Sequence, residues 1–343
     1  MARPGIGKSS YAHVPRYHRH FRSCSKTLAS VSTPTCYWRC SPPGIVACVA
    51  TDQPDFVPGR PASAANSKAE LAQTESISRP PRQRIRLPIL LFAATCLSTW
   101  LVGGLAFAFA LMTTLLAHEL GHFLQARRYG IPASLPYFIP MPLSPIGTMG
   151  ALIVMRPGKG NRRTLFDIAV SGPLAGLVPA LLFCVVGLHW SQVVKVADQP
   201  MTMTLGEPLL FKLLAYLTIG PLPPGQDIAL HPVAFAGWVG LFITALNLIP
   251  IGQLDGGHVL YALLLRRAHL VARGLLLAAT IAVVVWGFWG WTLMILLLML
   301  MGPRHPPTAN DDVSLGTGRT ILGCASLLFV LVGFTPIPFS FSM

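Results

Sequence analysis

His118 and His122 stand one helical turn apart in the pentapeptide HELGH, inside a stretch that is otherwise uncharged and apolar. On a helix they share a face, so both imidazoles can converge on one metal ion with Glu119 beside them. That is the ligand geometry of a zinc hydrolase. A HExxH match arises by chance in a chain of this length, and a helical histidine more often caps or packs than binds metal. An ionisable cluster inside a membrane-length apolar segment is costly unless it has a function there, which moves the odds toward a site.

Catalytic zinc commonly takes three protein ligands and leaves a fourth position for water. Asp255, in the stretch NLIPIGQLDGG from Asn247 to Gly257, is the candidate for the third. Pro250 and Gly252 would break a helix there, and Gly256 and Gly257 allow close backbone approach. The competing reading is an Asp that caps a helix beginning near Gly257. Glu119, adjacent to the first ligand, is placed to take a proton from metal-bound water and pass it to a leaving amine. Asn247 could offer its amide to an unwound substrate backbone. Asp167, in LFDIAVSGPLAG, reads as a carboxylate stabilised by a helix N-terminus, or as a further acid behind the site. Gly172 and Gly176, with Ser171 and Ala175, form a small face suited to packing against the HELGH helix. His231 reads as interfacial, and His258 falls outside the ligand set.

The elements that must carry these residues are membrane helices. Of 343 residues, 52% are hydrophobic and 11% charged, with mean hydropathy +0.57, an integral-membrane composition. The net charge of +14 raises nucleic acid as a partner, yet 13 of the 26 basic residues precede residue 88 and most others flank apolar runs. They read as topology signals, and no nucleic acid is expected. Seven cysteines, including Cys24, Cys36, Cys40 and Cys48, form no disulfide or CxxC pattern. Residues 1–86 are basic and rich in Ser, Pro and Arg, and are expected to be disordered; such a start also resembles an organelle transit peptide. A scattered metal site from CYWRC with His13, His18 and His20 is the weaker reading of that region. Residues 87–343 form the membrane-embedded domain.

The expected fold is an all-α polytopic membrane protein of about seven transmembrane helices, near 88–103, 105–127, 167–189, 232–251, 268–286, 288–302 and 318–336. A cytoplasmic N-terminus then puts the basic loop residues on one side. A small membrane-associated β-hairpin is expected between spans two and three, where 130–166 is Pro-rich and then reads GTMGALIVM. The stretch FKLLAYLTIG is expected to be an interfacial helix.

HELGH in an early span paired with NLIPIGQLDGG in a later one resembles the site-2 protease family of intramembrane zinc metalloproteases. PMPLSPIGTMGALI, LFDIAVSGPLAG and HPVAFAGW are similar to its chloroplast and cyanobacterial branch, over about residues 88–340. The resemblance implies one Zn2+ per chain on His118, His122 and Asp255, Glu119 as catalytic base, Asn247 assisting substrate, and cleavage of a transmembrane protein within the lipid bilayer. It also implies that 147–155 lies at the edge where substrate can be added as a strand. The chain departs from the family in lacking a recognisable GNLR stretch before residue 88 and in having no room for an inserted PDZ domain. The alternative is a proteolytically silent membrane scaffold or chaperone of the same fold; a metal transporter ranks below both, since the spans carry no polar path. The expected host is a bacterial inner membrane, with a chloroplast membrane as the alternative; the oligomeric state is open.

Overall fold

The computed structural model describes residues 85–155, 160–195, 202–303 and 305–342. Contacts separate Met1–Arg79 from Pro80–Met343, and every described residue falls in the latter. The readings made of the N-terminal region, its cysteines and histidines included, lie outside the described residues.

The first two apolar runs form one helix, α1 (Arg86–Arg128). If straight, its 43 residues would reach about 65 Å, twice a bilayer core. Gly104 interrupts it with φ 78° and ψ 176°. Phe92, Cys96 and Trp100 before the break, and Leu105, Phe109 and Met112 after it, line one open apolar groove, so the two limbs fold toward each other. The expected hairpin follows as β1 (Tyr137–Pro140) and β2 (Thr148–Leu152), antiparallel, with Tyr137 opposite Leu152 and a register shift before Pro140. It docks on the first limb. Phe138 meets Phe92 edge to face at 5.1 Å, and Ser98 Oγ donates to the Gly147 carbonyl at 2.6 Å.

Next comes α2 (Arg162–His189), capped by Asn161, whose side chain accepts from the Thr164 amide. Beyond it lie β3 (Gln192–Lys195), β4 (Thr202–Leu205), the short α3 (Leu209–Ile219) and β5 (Gln226–Ala229). β3 pairs with β5, and β4 with the C-terminal β6 (Phe339–Ser342), both antiparallel. FKLLAYLTIG does fold as a helix, α3, which packs on α2 and leaves Leu209, Leu213, Tyr216 and Leu217 exposed. His231 caps α4 (Pro232–Asn247), accepting from the Val233 amide. This short helix is the centre of the core. Trp238, Val239 and Leu241 are fully buried, and small residues bring it against α2, where a Cβ on Gly187 would stand 2.1 Å from the Ala234 nitrogen.

The chain ends with α5 (Asp255–Leu264), α6 (Ala268–Trp286), α7 (Thr292–Met301) and α8 (Thr317–Gly333). Among the described residues, three stretches are long and apolar enough to cross a membrane: Arg86–Arg128, Arg162–His189 and Asp255–Trp286. The helix lengths therefore do not bear out seven full spans. The run 232–251 gives a helix of 16 residues and 288–302 one of 10, about 24 Å and 15 Å at helical rise. The Pro250 segment stops α4, and glycines at positive φ, Gly287 and Gly302, bracket α7. The helix that the capping reading of Asp255 placed near Gly257 forms as α5, two residues earlier.

Candidate metal centre

His118 and His122 project from the second limb of α1 and are buried. Asp255 reaches them as the first residue of α5. Its approach depends on the paired glycines: a Cβ on Gly256 would stand 1.9 Å from the Leu248 carbonyl oxygen, and one on Gly257 2.4 Å from that of Gly252. The capping alternative does not hold, because α5 starts at Asp255 with Leu254 in the cap position and no side-chain cap. The carboxylate sits in the first turn, where aligned backbone amides favour negative charge.

The three ligand atoms form a triangle. His118 Nε2 and His122 Nε2 each lie 3.2 Å from Asp255 Oδ2 and 3.2 Å from one another. The opposite face of His122 is fixed, since its Nδ1 donates to the Ile168 carbonyl at 2.7 Å. With that proton committed, Nε2 carries a lone pair aimed at the carboxylate, an unfavourable meeting unless a cation is shared. Ser171 Oγ donates to the same carbonyl at 2.7 Å. The small face of α2 is where these rings lie: a Cβ on Gly172 would stand 2.1 Å from His122 Nε2, and one on Gly176 2.9 Å from His118 Cβ. Packing of this face on the HELGH helix was expected, and the glycines make room for the ligands themselves.

Glu119 is buried within electrostatic reach of His118, His122 and Asp255. Asn247 closes α4 with its Nδ2 at 3.5 Å from His118 Nε2, so all five sequence-derived site residues gather at one place. His258 stays out of the triangle; its Nδ1 pairs with His305 Nε2 at 2.6 Å. Asp167 is a correction. Instead of resting on the helix dipole, it accepts from Arg319 Nε at 2.7 Å and Nη2 at 2.9 Å, and from the Tyr129 hydroxyl. The Ile168 carbonyl was missed because a backbone acceptor leaves no residue-type signal. Arg319 had one: it is the basic residue in the last apolar run, and Asp167 the acid in the third.

The donor set suits zinc. Two imidazole nitrogens and a carboxylate oxygen are its usual ligands, and ligands about 2 Å from a tetrahedral ion stand roughly 3.3 Å apart, close to the triangle's edges. Among the described residues, His118, His122 and Asp255 are the group that brings three such side chains together.

The sequence matches Peptidase family M50 over residues 106–287. It is similar to the probable zinc metalloprotease EGY1, chloroplastic, of Arabidopsis thaliana, 33% identical over 68% of this chain and 43% of that one. Its counterpart in Oryza sativa subsp. japonica is 30% identical over 75% of this chain and 43% of the other. The probable zinc metalloprotease EGY2, chloroplastic, of Arabidopsis thaliana is 31% identical, covering 68% and 42%. The chain thus spans less than half the length of these curated relatives. No solved structure matches it.

Proposed function

This chain belongs to peptidase family M50, and on that premise we propose that it is a membrane-embedded zinc endopeptidase that hydrolyses peptide bonds in transmembrane segments of other proteins. The observation that carries the reading is the triangle of His118, His122 and Asp255 with the buried Glu119 beside it. These three residues would hold the zinc. When bound, it supplies Lewis acidity that makes water a better nucleophile and polarises the scissile carbonyl.

The remaining steps belong to the protein's own side chains. Glu119 accepts a proton from the attacking water and delivers it to the departing amine, general-base and then general-acid work worth about 10²–10⁴-fold. The Ile168 carbonyl holds the His122 proton on Nδ1, keeping Nε2 free. Asn247, next to His118 at the end of α4, is placed to bond the backbone of an unwound substrate. A helical segment must open before its amide can be attacked, and the freed backbone groups need partners. The strand β2, with Met149 and Leu152 exposed, offers such an edge.

The chloroplast relatives favour a chloroplast membrane over a bacterial inner membrane as the host. The test is zinc content together with cleavage of a transmembrane substrate in detergent. Glu119→Gln is expected to retain stoichiometric zinc and lose at least about 10²-fold in cleavage, whereas Asp255→Ala is expected to lose both. Zinc in the native chain without cleavage of any substrate tried would favour the silent scaffold, whereas full activity in Glu119→Gln would overturn Glu119 as the base.

A further inference from the structure

Asp167 draws three helices to one point. Arg319 on α8 gives its carboxylate two parallel hydrogen bonds, Nε at 2.7 Å and Nη2 at 2.9 Å, and Tyr129, the residue after α1, gives it a third. The acid is 12% exposed and the guanidinium 39%. A paired Arg–carboxylate contact of this kind fixes the plane of both groups as well as their separation.

Two neighbours of this cluster belong to the metal centre. Ile168, next in sequence to Asp167, supplies the carbonyl that receives His122 Nδ1 at 2.7 Å. Tyr129 lies seven residues after His122, two helical turns along the same face of α1. The cluster therefore clamps the helix that carries the ligand to the helix that orients it, at the point where both depart from the centre. If α1 and α2 slide apart, the Nδ1 hydrogen bond lengthens, the imidazole can carry its proton on Nε2, and the ligand is lost.

We propose that Arg319 and Asp167 are positioning residues for His122, with α8 acting through the Asp167 carboxylate on the Ile168 carbonyl and so on the affinity of the site for zinc. This rests on the zinc reading of the centre given above. Partners of this type behind a metal ligand typically change metal affinity 10- to 100-fold. Arg319 acts one bond further out, so the lower figure applies.

The test uses the full chain in detergent, loaded with zinc, and measures zinc affinity by chelator competition and zinc release into excess chelator. Arg319→Gln and Asp167→Asn are each expected to weaken zinc binding about tenfold. Because they break one contact, the double variant should be no worse than either alone. Arg319→Lys should recover part of the affinity. Tyr129→Phe, a milder change that keeps the ion pair, should cost a few-fold and serves if the charge variants do not fold. Arg163→Gln is the control for general loosening, since Arg163 ties the start of α2 to Ser314 without touching Asp167 or Ile168; its zinc affinity should match the native chain. Native-like zinc affinity in Arg319→Gln and Tyr129→Phe, or an equal loss in Arg163→Gln, would overturn the proposal and leave zinc binding itself intact. A native chain that binds no zinc would instead remove the zinc reading on which it stands.

Discussion

A Cβ on Gly172 would stand 2.1 Å from His122 Nε2, and the α2 backbone beside it gives no room for the ring to retreat, because the ring's far side is held by Ile168. Gly172→Ala should therefore lower zinc affinity at least about tenfold, with a smaller effect from Gly176→Ala, whose new methyl meets His118 Cβ at 2.9 Å. Zinc-to-protein ratios after dialysis against a weak chelator would show it, and undiminished zinc in Gly172→Ala would mean that His122 does not present Nε2 to a metal. Asn247 makes a contrasting case. Its amide borders the centre without entering the triangle, so Asn247→Ala should keep its zinc while raising KM or lowering kcat about tenfold, about what one lost hydrogen bond to substrate backbone is worth. The candidate site residues were legible in the sequence because polar and ionisable side chains are rare inside apolar runs, and five of them fell into two short motifs. Ile168 was not, because what it contributes is a carbonyl common to every residue; its effect shows only in the demand for glycine at 172.

The segment between α7 and α8 depends on a histidine in a fixed tautomer. His305 Nδ1 donates to the Pro306 carbonyl, leaving Nε2 to accept from His258 Nδ1 on α5 at 2.6 Å. Tyr261 stacks on the His305 ring with centroids 4.4 Å apart and donates to Asp311 at 2.7 Å. Burial pushes the His305 imidazole below its usual value; the Pro306 carbonyl and Asp311 oppose this, and His269 adds to it. Burial pushes Asp311 up, but the hydroxyls of Thr308 and Tyr261 prevail and hold its carboxyl below the usual range, so it stays ionised under mild acid. A histidine with a depressed folded pKa contributes stability that is complete above the unfolded value, about 6.5, and is lost as pH falls through the folded one. Once protonated, His305 can no longer accept from His258. Amide exchange in residues 305–312 should therefore quicken beyond the intrinsic trend as pH falls below about 6.5, and His305→Gln should flatten that response. Unchanged protection in the native chain would show that the pair does not hold the segment. None of this was legible in advance. Apolar periodicity located the helices but misjudged their ends, and α5, short and glycine-led, entered only as a helix near Gly257 in the capping reading of Asp255.

At the scale of the whole molecule, α2 separates two ends about 42 Å apart, from its 28 residues at helical rise. At one end, Arg162 bonds the last carbonyls of α5 and the Ala309 amide bonds Gly160. At the other, Ser191 meets the His231 amide, Trp238 meets Gly206, and Trp291 meets Pro336. His122 lies six residues before the end of α1, and Gly172 ten residues after the start of α2. The centre is thus about 9–15 Å in from the first end, beneath the surface of any bilayer that α2 crosses. Arg162 and Arg163 lie at that end, as the positive-inside pattern in the sequence implied, and Arg319 joins them, but each also has a partner in the fold, so charge alone does not measure their topological weight. The arrangement makes sidedness testable. With the native cysteines replaced, Asn310→Cys should react with a membrane-impermeant maleimide from one face of sealed vesicles, and Pro223→Cys from the other. Labelling of 223 and 310 from the same face would mean that α2 does not cross the bilayer, and the centre would then sit at the membrane surface, where a soluble peptide could reach it without unwinding.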